Sequence, residues 1–347
     1  MIDFTVAIPT YNGASRLPAL LDRVRSQIET DSFHWEVIVV DNNSSDATAD
    51  VVKHYQEHWL DHSSLRYCFE PEQGLAYARQ RAIDEAAGDL IGFLDDDNLP
   101  ARDWVASAYA FAQTHPRAGG YGGQIHGDYE TPPPPNFKRI QSFLAIRERG
   151  NTAHRYDAET LSLPPGAAMV VRQSVWQACV PSRLKLVGRV NGSSLSGEDY
   201  EALLHIYYAG WEIWYCPTMH TYHQIPAQRL GRDYLLSLVK GAGLCVCQLR
   251  LMYVPSWKKP LVIAKIMLGS MRRAVRHWLN YRQQFSSDLI AECEMAYFLS
   301  CIASPIYLLM GKFRRSPQPL NNTVSAPNQS PNQPPLTPSS PIHPDLR

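Results

Sequence analysis

The residues best placed to do chemistry are acids that close apolar runs. WEVIVVD (35–41) ends in Asp41, and DLIGFLDDD (89–97) ends in Asp95, Asp96 and Asp97. Two apart at the end of a strand, the Asp95 and Asp97 carboxylates lean to the same side while Asp96 points across. Crowded carboxylates repel unless a cation neutralises them, and all-oxygen ligation suits Mg²⁺ or Mn²⁺, whose shells substrate phosphates complete. A solvated acidic turn before Asn98-Leu99-Pro100 is the simpler alternative, but the position after a buried strand favours the metal. A second pair, Glu198 and Asp199, opens a helical pattern behind Ser196 and Gly197. Acids in a first helical turn are favoured by about 0.3–1 kcal/mol each through the helix dipole. A carboxylate is also a competent general base toward a hydroxyl, so Asp199, with Glu198 in support, is a catalytic candidate.

These acids need a scaffold that brings strand ends to one edge. Residues 3–9 are β-rich and stop at Pro9; this is read as a first strand and not as a signal peptide, since no basic segment precedes its apolar run. Residues 15–29 place Leu17, Leu20, Leu21, Val24 and Ile28 at helical spacing behind a Ser15 cap. WEVIVVD is the next strand, and the unit recurs as a helix near 46–59, a strand at 65–69, a helix at 74–87 and a strand at 89–95. Such βαβ repeats predict an α/β fold with a parallel sheet, whose carboxyl edge is where open α/β sheets bind ligands. Neither G-x-G-x-x-G after the first strand nor G-x-x-x-x-G-K-[ST] occurs, so a Rossmann dinucleotide site is unsupported and a P-loop excluded. Downstream, a helix at 103–114 leads to GGYGGQIHG (119–127), a stiff PPPP connector at 132–135, and LPPGAAMVV (163–171), a loop entering a strand. Residues 196–217 read as a helix capped by Ser196 and ended at Gly210, then a strand.

In combination, IPTYN (8–12), VIVVDNNSSDAT (37–48), the run from QGLAYARQRAI to AAGDLIGFLDDDNLP (73–100), and GEDYE (197–201) with AGWEIWYCP and a following His resemble the family 2 glycosyltransferases of GT-A fold. The likeness spans roughly residues 4–223. With its basic helical extension, the whole chain is similar to the cyanobacterial polysaccharide-biosynthesis branch, including hormogonium polysaccharide transferases. The resemblance implies a Rossmann-like, mostly parallel sheet with flanking helices. It implies that Pro9, Tyr11 and Asp41 frame a nucleotide base, that Asp95 or Asp96 contacts the ribose, and that Arg79 stands among the nucleotide-sugar contacts. Asp97, with Asp95, is implied to hold a Mg²⁺ or Mn²⁺ ion bridging the donor's diphosphate; His223, six residues past Pro217, is implied to coordinate that ion or contact the diphosphate, with a structural surface or core histidine as the alternative. Asp199 corresponds to the general base of an inverting transfer, the metal meeting charge on the departing diphosphate. Two departures stand out: Gln80 replaces a usual Asn, and His205 a usual Arg, which suggests an altered contact beneath the catalytic helix.

The implied enzyme moves a sugar from a nucleotide-diphospho-sugar to an acceptor hydroxyl in cell-surface polysaccharide biosynthesis. A sugar-phosphate nucleotidyltransferase or a non-catalytic sugar-nucleotide scaffold are the alternatives. Acceptor contacts are expected from 120–195, with Gly166, Ala167 and Ala168 lining a channel and Trp176, Trp211 and Trp214 either stacking on sugars or filling the core. His220 is expected to be structural.

Composition agrees with a folded two-part protein. The 347 residues hold 33 basic and 33 acidic side chains, excluding a disordered chain and a generally basic nucleic-acid binder. The zero balance conceals a division: residues 1–226 carry 18 Lys+Arg against 28 Asp+Glu, and residues 227–315 carry 14 against 4. Three segments follow: a glycosyltransferase domain at 1–226, a basic, apolar helical extension at 227–315, and a Pro-rich disordered tail at 316–347. The longest apolar run, MAYFLSCIASPIYLLMG (295–311), is short for a bilayer span and broken by Pro305. An in-plane amphipathic helix on an anionic leaflet is therefore expected, with packing onto the first domain as the alternative. The expected place is cytoplasmic, peripheral at the inner face of the plasma membrane, with a glycan or lipid-linked glycan as acceptor and no nucleic-acid partner. Seven scattered cysteines read as reduced, buried thiols with no zinc site.

Overall fold

A computed structural model describes residues 2–59, 63–188, 195–283 and 288–314, the last four as backbone only. The expected disordered tail lies outside the described residues. Two apolar runs with no polar face become β1 (Phe4–Thr10) and β2 (Trp35–Asp41), in which every residue is buried. Between them α1 (Leu17–Arg25) turns Leu17, Leu20, Leu21 and Val24 inward. α2 (Thr48–Glu57), β3 (Ser64–Phe69), α3 (Leu75–Glu85) and β4 (Leu90–Phe93) continue the alternation. β1 pairs in parallel with both β2 and β4, and β2 with β3, so the acid that closes β2 and those that follow β4 reach one edge.

The second half departs from a purely parallel sheet. It contributes β5 (Asn98–Pro100), α4 (Trp104–Thr114), β6 (Ala118–Tyr129), β7 (His154–Arg155), β8 (Met169–Arg172), α5 (Gln173–Cys179), α6 (Glu198–Tyr208) and β9 (Glu212–Ile225). The described strands form one nine-stranded sheet in the order β3-β2-β1-β4-β8-β6-β9-β5, with β7 also on β9. β8 enters from the loop at the acidic edge and runs back along β4, so it is antiparallel to β4 and β6. The longest ladders, including β6 with β9, remain parallel.

Neither expected serine cap forms. Arg16 is the N-cap residue of α1 and Gly197 that of α6, and no side chain caps either end. Pro18 fixes the first turn of α1 instead, where its missing N–H is harmless, and the Gly13 carbonyl accepts from Arg16 and Leu17.

Three long helices follow: α7 (Arg232–Arg250), α8 (Lys259–Tyr281) and α9 (Leu289–Arg314). Leu235, Leu238 and Val239 of α7 and Ile290 and Cys293 of α9 join the same core as Phe4, Trp104 and Phe137. Packing onto the sheet domain therefore describes α7 and the start of α9. α8 is different, burying only Ile266, Ser270, Ala274 and His277. α9 passes through Pro305, whose ring removes the partner of the Cys301 carbonyl; the Ser304 hydroxyl donates to that carbonyl at 2.7 Å and restores it. The helix thus outlasts the apolar run, and Leu289–Met310 is long and apolar enough to cross a membrane by length and composition. None of the seven cysteines is in a disulfide, and six are buried, Cys179 being partly exposed.

Close approach of α7 and α9 depends on Gly243, where an added Cβ would stand 2.7 Å from the Ser300 Cβ and 2.9 Å from the Tyr297 carbonyl oxygen. Gly243→Val is expected to force the helices apart and lower stability by about 1–3 kcal/mol. An unshifted urea midpoint for this variant would show that the two helices do not pack this closely.

Candidate active site

Each of the three consecutive acids beyond β4 has its own guanidinium. Asp95 Oδ1 lies 3.3 Å from Arg79 Nη2 of α3. Asp96 accepts from Arg16 Nε and Nη2, both at 2.8 Å, and from the Thr10 hydroxyl at 2.6 Å. Asp97 Oδ2 lies 2.6 Å from Arg229 Nη1, in the short turn after β9. Burial alone would raise Asp97, but the His223 ring and the Arg229 guanidinium outweigh it and hold its carboxyl well below the usual range. Asp95 is shifted the other way: its depth in the fold dominates, opposed by Arg79 and reinforced by Asp97 and Asp96.

Arg79 is 3% exposed and reaches a second acid, Glu198 Oε1, at 3.5 Å from its Nη1. Burial, then the charge of Asp199, push Glu198 up to about 7 against the pull of Arg79. The guanidinium lies over the Phe93 ring and against Gly166, where an added Cβ would come within 2.5 Å of it. The same glycine donates its N–H to Asp199 Oδ2 at 2.6 Å. One backbone position therefore makes room for the arginine and orients the candidate base.

Two cavities meet here. The smaller, about 620 Å³, is lined by Pro9, Tyr11, Arg16, Asn42, Asp97 and His223, among others. The larger, about 1100 Å³, is lined by Arg79, Gly166, Asp199 and Tyr200 and continues along α7 and α8. Asp95, Phe143, Ala145 and Ala167 line both. Of the expected residues, Pro9, Tyr11, Asp95, Asp96, Asp97 and His223 gather around the first cavity, and Asp199 faces the second. Arg79 faces the second cavity, and Asp41 lines neither. The Asp41 carboxylate is buried, accepting from the Ser44 N–H at 2.9 Å and the Tyr67 hydroxyl at 2.8 Å. Glu198 also stands behind the cavity wall, held by Arg79.

Trp176, a candidate for sugar stacking, is a core residue whose Nε1 donates to Gln80 Oε1 at 3.0 Å, which accounts for that glutamine. Trp211 and Trp214 line neither cavity. His205 meets the Tyr253 hydroxyl at 2.6 Å, and His220 pairs with His126. Residue patterning missed Arg16, Asn42 and Arg229. Asn42 joins the strand edge to α3, accepting from the Gly74 N–H at 2.7 Å and donating to the Glu72 carbonyl at 2.7 Å. An arginine six residues past the β1 turn was the one available sign of Arg16; Arg229 carried none beyond its charge.

Asp97 and His223 present an oxygen and a nitrogen of the kinds a divalent cation takes. His223 is buried with Nδ1 2.8 Å from the Leu144 carbonyl, so that nitrogen carries a proton and Nε2 faces Asp97 Oδ2 at 3.5 Å. A backbone-tied imidazole opposite a carboxylate is the arrangement that metal-ligating histidines adopt. Arg229 Nη1, 3.2 Å from Nε2 and 2.6 Å from Asp97, supplies positive charge between the two groups. A separate group, His54, Glu57 and His58 on exposed α2, has ligand atoms within 4.8 Å of one another and lines neither cavity.

Residues 5–178 match the family model described as Glycosyl transferase family 2. The putative teichuronic acid biosynthesis glycosyltransferase TuaG of Bacillus subtilis is 31% identical over 107 residues, 31% of this chain and 40% of its own. Glycosyltransferase AglE of Haloferax volcanii is 34% identical over 102 residues, 29% of this chain and 32% of its own. The chain thus matches less than half the length of these curated relatives. Among solved structures, the mannosyltransferase PcManGT from Pyrobaculum calidifontis in complex with GDP-Man and Mn²⁺ superposes with a TM-score of 0.58 at 19% identity, covering 89% of this chain and 87% of that one. That likeness is one of fold: a GT-A sheet with flanking helices.

Removing Arg79 would leave Asp95 and Glu198 without their shared counter-charge. Arg79→Met is expected to destabilise by about 3–5 kcal/mol, measured by chemical denaturation. Glu198 gives a pH test. With its folded-state pKa near 7, above the ordinary 4.5, the native state keeps the proton longer than the unfolded chain. Stability therefore falls as pH rises through that window, by about 1–3 kcal/mol from this group. Denaturation curves across the window should show the smaller fall for Glu198→Gln; parallel curves for variant and wild type would refute the shift.

Proposed function

The chain belongs to glycosyl transferase family 2, and from that premise we propose that it transfers a sugar from a nucleotide-diphospho-sugar to an acceptor hydroxyl with inversion, in cell-surface polysaccharide biosynthesis. The observation that supports this reading most is the meeting of two cavities at Asp95, with Asp97, His223 and Arg229 on one side and Asp199 on the other. The smaller cavity is the donor site in this reading. Pro9 and the half-exposed Tyr11 flank the base, Asp96 or Asp95 takes the ribose hydroxyls, and Asn42 and Gly74 shape the floor. Asp41 orders the turn beneath the base through Ser44 rather than facing the cavity.

Asp97, His223 and Asp95 would hold Mg²⁺ or Mn²⁺. When bound, the ion neutralises the charge that develops on the donor diphosphate. Arg16 and Arg229 are already at that end of the cavity and add positive charge there. The acceptor hydroxyl gives its proton to the Asp199 carboxylate as its oxygen bonds to the anomeric carbon; the bond to the donor phosphate breaks, its electron pair leaving with the diphosphate. A single displacement of this kind inverts the anomeric centre. The Gly166 N–H on Oδ2 and Glu198 on Arg79 keep Asp199 aimed across the junction.

TuaG is named for teichuronic acid biosynthesis, and PcManGT, alike in fold, was solved with GDP-Man and Mn²⁺. We extend the cell-surface assignment to this chain on that basis, with residues 1–226 as transferase domain, 227–315 as helical extension and peripheral contact with the inner face of the membrane. The likeness to the cyanobacterial branch belongs to the same reading.

Incubating the full chain with a panel of nucleotide sugars and Mn²⁺ or Mg²⁺ should release nucleoside diphosphate, not pyrophosphate. Asp199→Asn should lower acceptor-dependent transfer about 10²–10⁴-fold. Asp97→Asn should weaken Mn²⁺ binding measured by calorimetry. Pyrophosphate as the product, or wild-type transfer rates in Asp199→Asn, would overturn the assignment.

A further inference from the structure

α8 is divided lengthwise into three stripes. Ile266, Ser270, Ala274 and His277, at spacings of four and three, are its buried seam. Val262, Lys265, Gly269, Arg272 and Arg276, also at spacings of three and four, line the large cavity that begins at Asp199. On the remaining side Leu261, Leu268, Met271, Val275 and Leu279 stand 50–67% exposed. An ordinary amphipathic helix has one apolar stripe facing the core and a polar remainder. A second, outward apolar stripe beside a cationic one needs another occupant.

The cations are available. None of the ion pairs among the described residues involves Lys265, Arg272 or Arg276, whereas Arg139 and Arg232 are tied to Glu294 and Glu292. Arg250, on the opposite wall, is committed to the Glu159 and Thr160 carbonyls, and Arg273 to the Ser270 hydroxyl and the Phe298 ring. Like charges one helical turn apart repel, so the stripe gains from an anion between them. Space for that anion exists: among the described residues nothing lies within 4 Å of where a Gly269 Cβ would stand, midway along the stripe.

We infer that the Lys265, Arg272 and Arg276 stripe binds the phosphate of a lipid-linked acceptor, with its hydrocarbon against the outward apolar stripe of α8 and its sugar hydroxyl in the cavity at Asp199. The inference rests on the transferase reading above and names its acceptor class. Arginines suit phosphate oxygens because their planar donors pair with them bidentately. At about 1100 Å³ the cavity exceeds the volume of a drug-sized ligand, leaving room for a glycan between phosphate and base. An amphipathic, phosphate-bearing ligand satisfies all three features together; a neutral soluble glycan would leave both the cations and the apolar stripe unused.

The test is flotation of the full chain, without donor, on three vesicles: phosphatidylcholine alone, phosphatidylcholine with phosphatidylglycerol, and phosphatidylcholine with a polyprenyl phosphate at matched surface charge. Wild type is expected to bind the polyprenyl phosphate vesicles most tightly. Arg272→Gln with Arg276→Gln should weaken that binding about thirtyfold, and the Lys pair at the same positions, keeping charge without bidentate pairing, should restore only part of it. Leu268→Gln with Val275→Gln should weaken it as well. Equal binding to both anionic vesicles, or no effect of the Gln pair, would overturn the phosphate site. So would a change in oligomeric state on Leu268→Gln with vesicle binding intact, since the apolar stripe would then belong to a second copy. Nucleoside diphosphate release by wild type is measured apart, in solution. Its absence defeats the transferase reading whatever the vesicles show; release without selective flotation defeats the acceptor site alone.

Discussion

Three carboxylates in succession at one strand end cannot all stay ionised without counter-charge, and the rest of the site is arranged around supplying it. Moving an unpaired carboxylate out of water costs several kcal/mol, and placing two more beside it adds repulsion. Here the neutralising groups come from three distant places: Arg16 before α1, Arg79 within α3, and Arg229 after β9. Each pair ties one segment to the end of β4, so the acidic edge fixes the approach of the first helix, the third helix and the last strand together. Arg79 extends the tie to α6 through Glu198. The candidate site and tertiary closure thus use the same charges.

This pairing alters the meaning of the charge division along the chain. Counted by segment, the excess of acids lies before residue 226 and the excess of cations after it. In space, Arg229 of the basic segment stands on Asp97 of the acidic one, and Tyr234 lines the same cavity. The extension therefore contributes to the smaller cavity as well as to the far wall of the larger one. What remains as surplus positive charge is concentrated on α8, where no acid meets Lys265, Arg272 or Arg276 among the ion pairs of the described residues.

The parts of this arrangement that were legible in the sequence are those with a local period. The runs that became β1 and β2 are apolar on both faces, and the acids ending WEVIVVD and FLDDD are visible as a break in that pattern. Leu17, Leu20, Leu21 and Val24 announce α1 by their spacing, although the serine expected to cap it does not, because Pro18 and the Gly13 carbonyl already satisfy that helix end. Arg16 and Arg229 were not legible for a different reason: an ion pair across 80 or 132 residues leaves no periodic trace. The antiparallel β8 was hidden for the same reason, since strand direction depends on where a loop of no regular pattern returns to the sheet. Trp176 shows the limit of residue type as a guide, being a ring that suits a sugar face and here fills the core beside Phe93.

The extension shows why an apolar count cannot separate packing from membrane contact. α7 and α8 both mix aliphatic and basic residues, yet α7 buries nine residues and α8 four of 23. The difference lies in phase: around α8 the apolar residues occupy two stripes, one matched to α9 and one matched to nothing in the described fold, with the cations between the outward stripe and the cavity. A helix shaped only by packing would gain by making that outward stripe polar, as α2 has done on its exposed face with Lys53, His54 and Glu57. Retention of the stripe beside a cationic cavity wall, at the far end of the space that opens on Asp199, joins the helix to the acidic edge. The two ends of the larger cavity differ in sign, carboxylate at the chemistry and guanidinium at the helix. A ligand that spans it would meet a carboxylate at one end and guanidinium groups at the other.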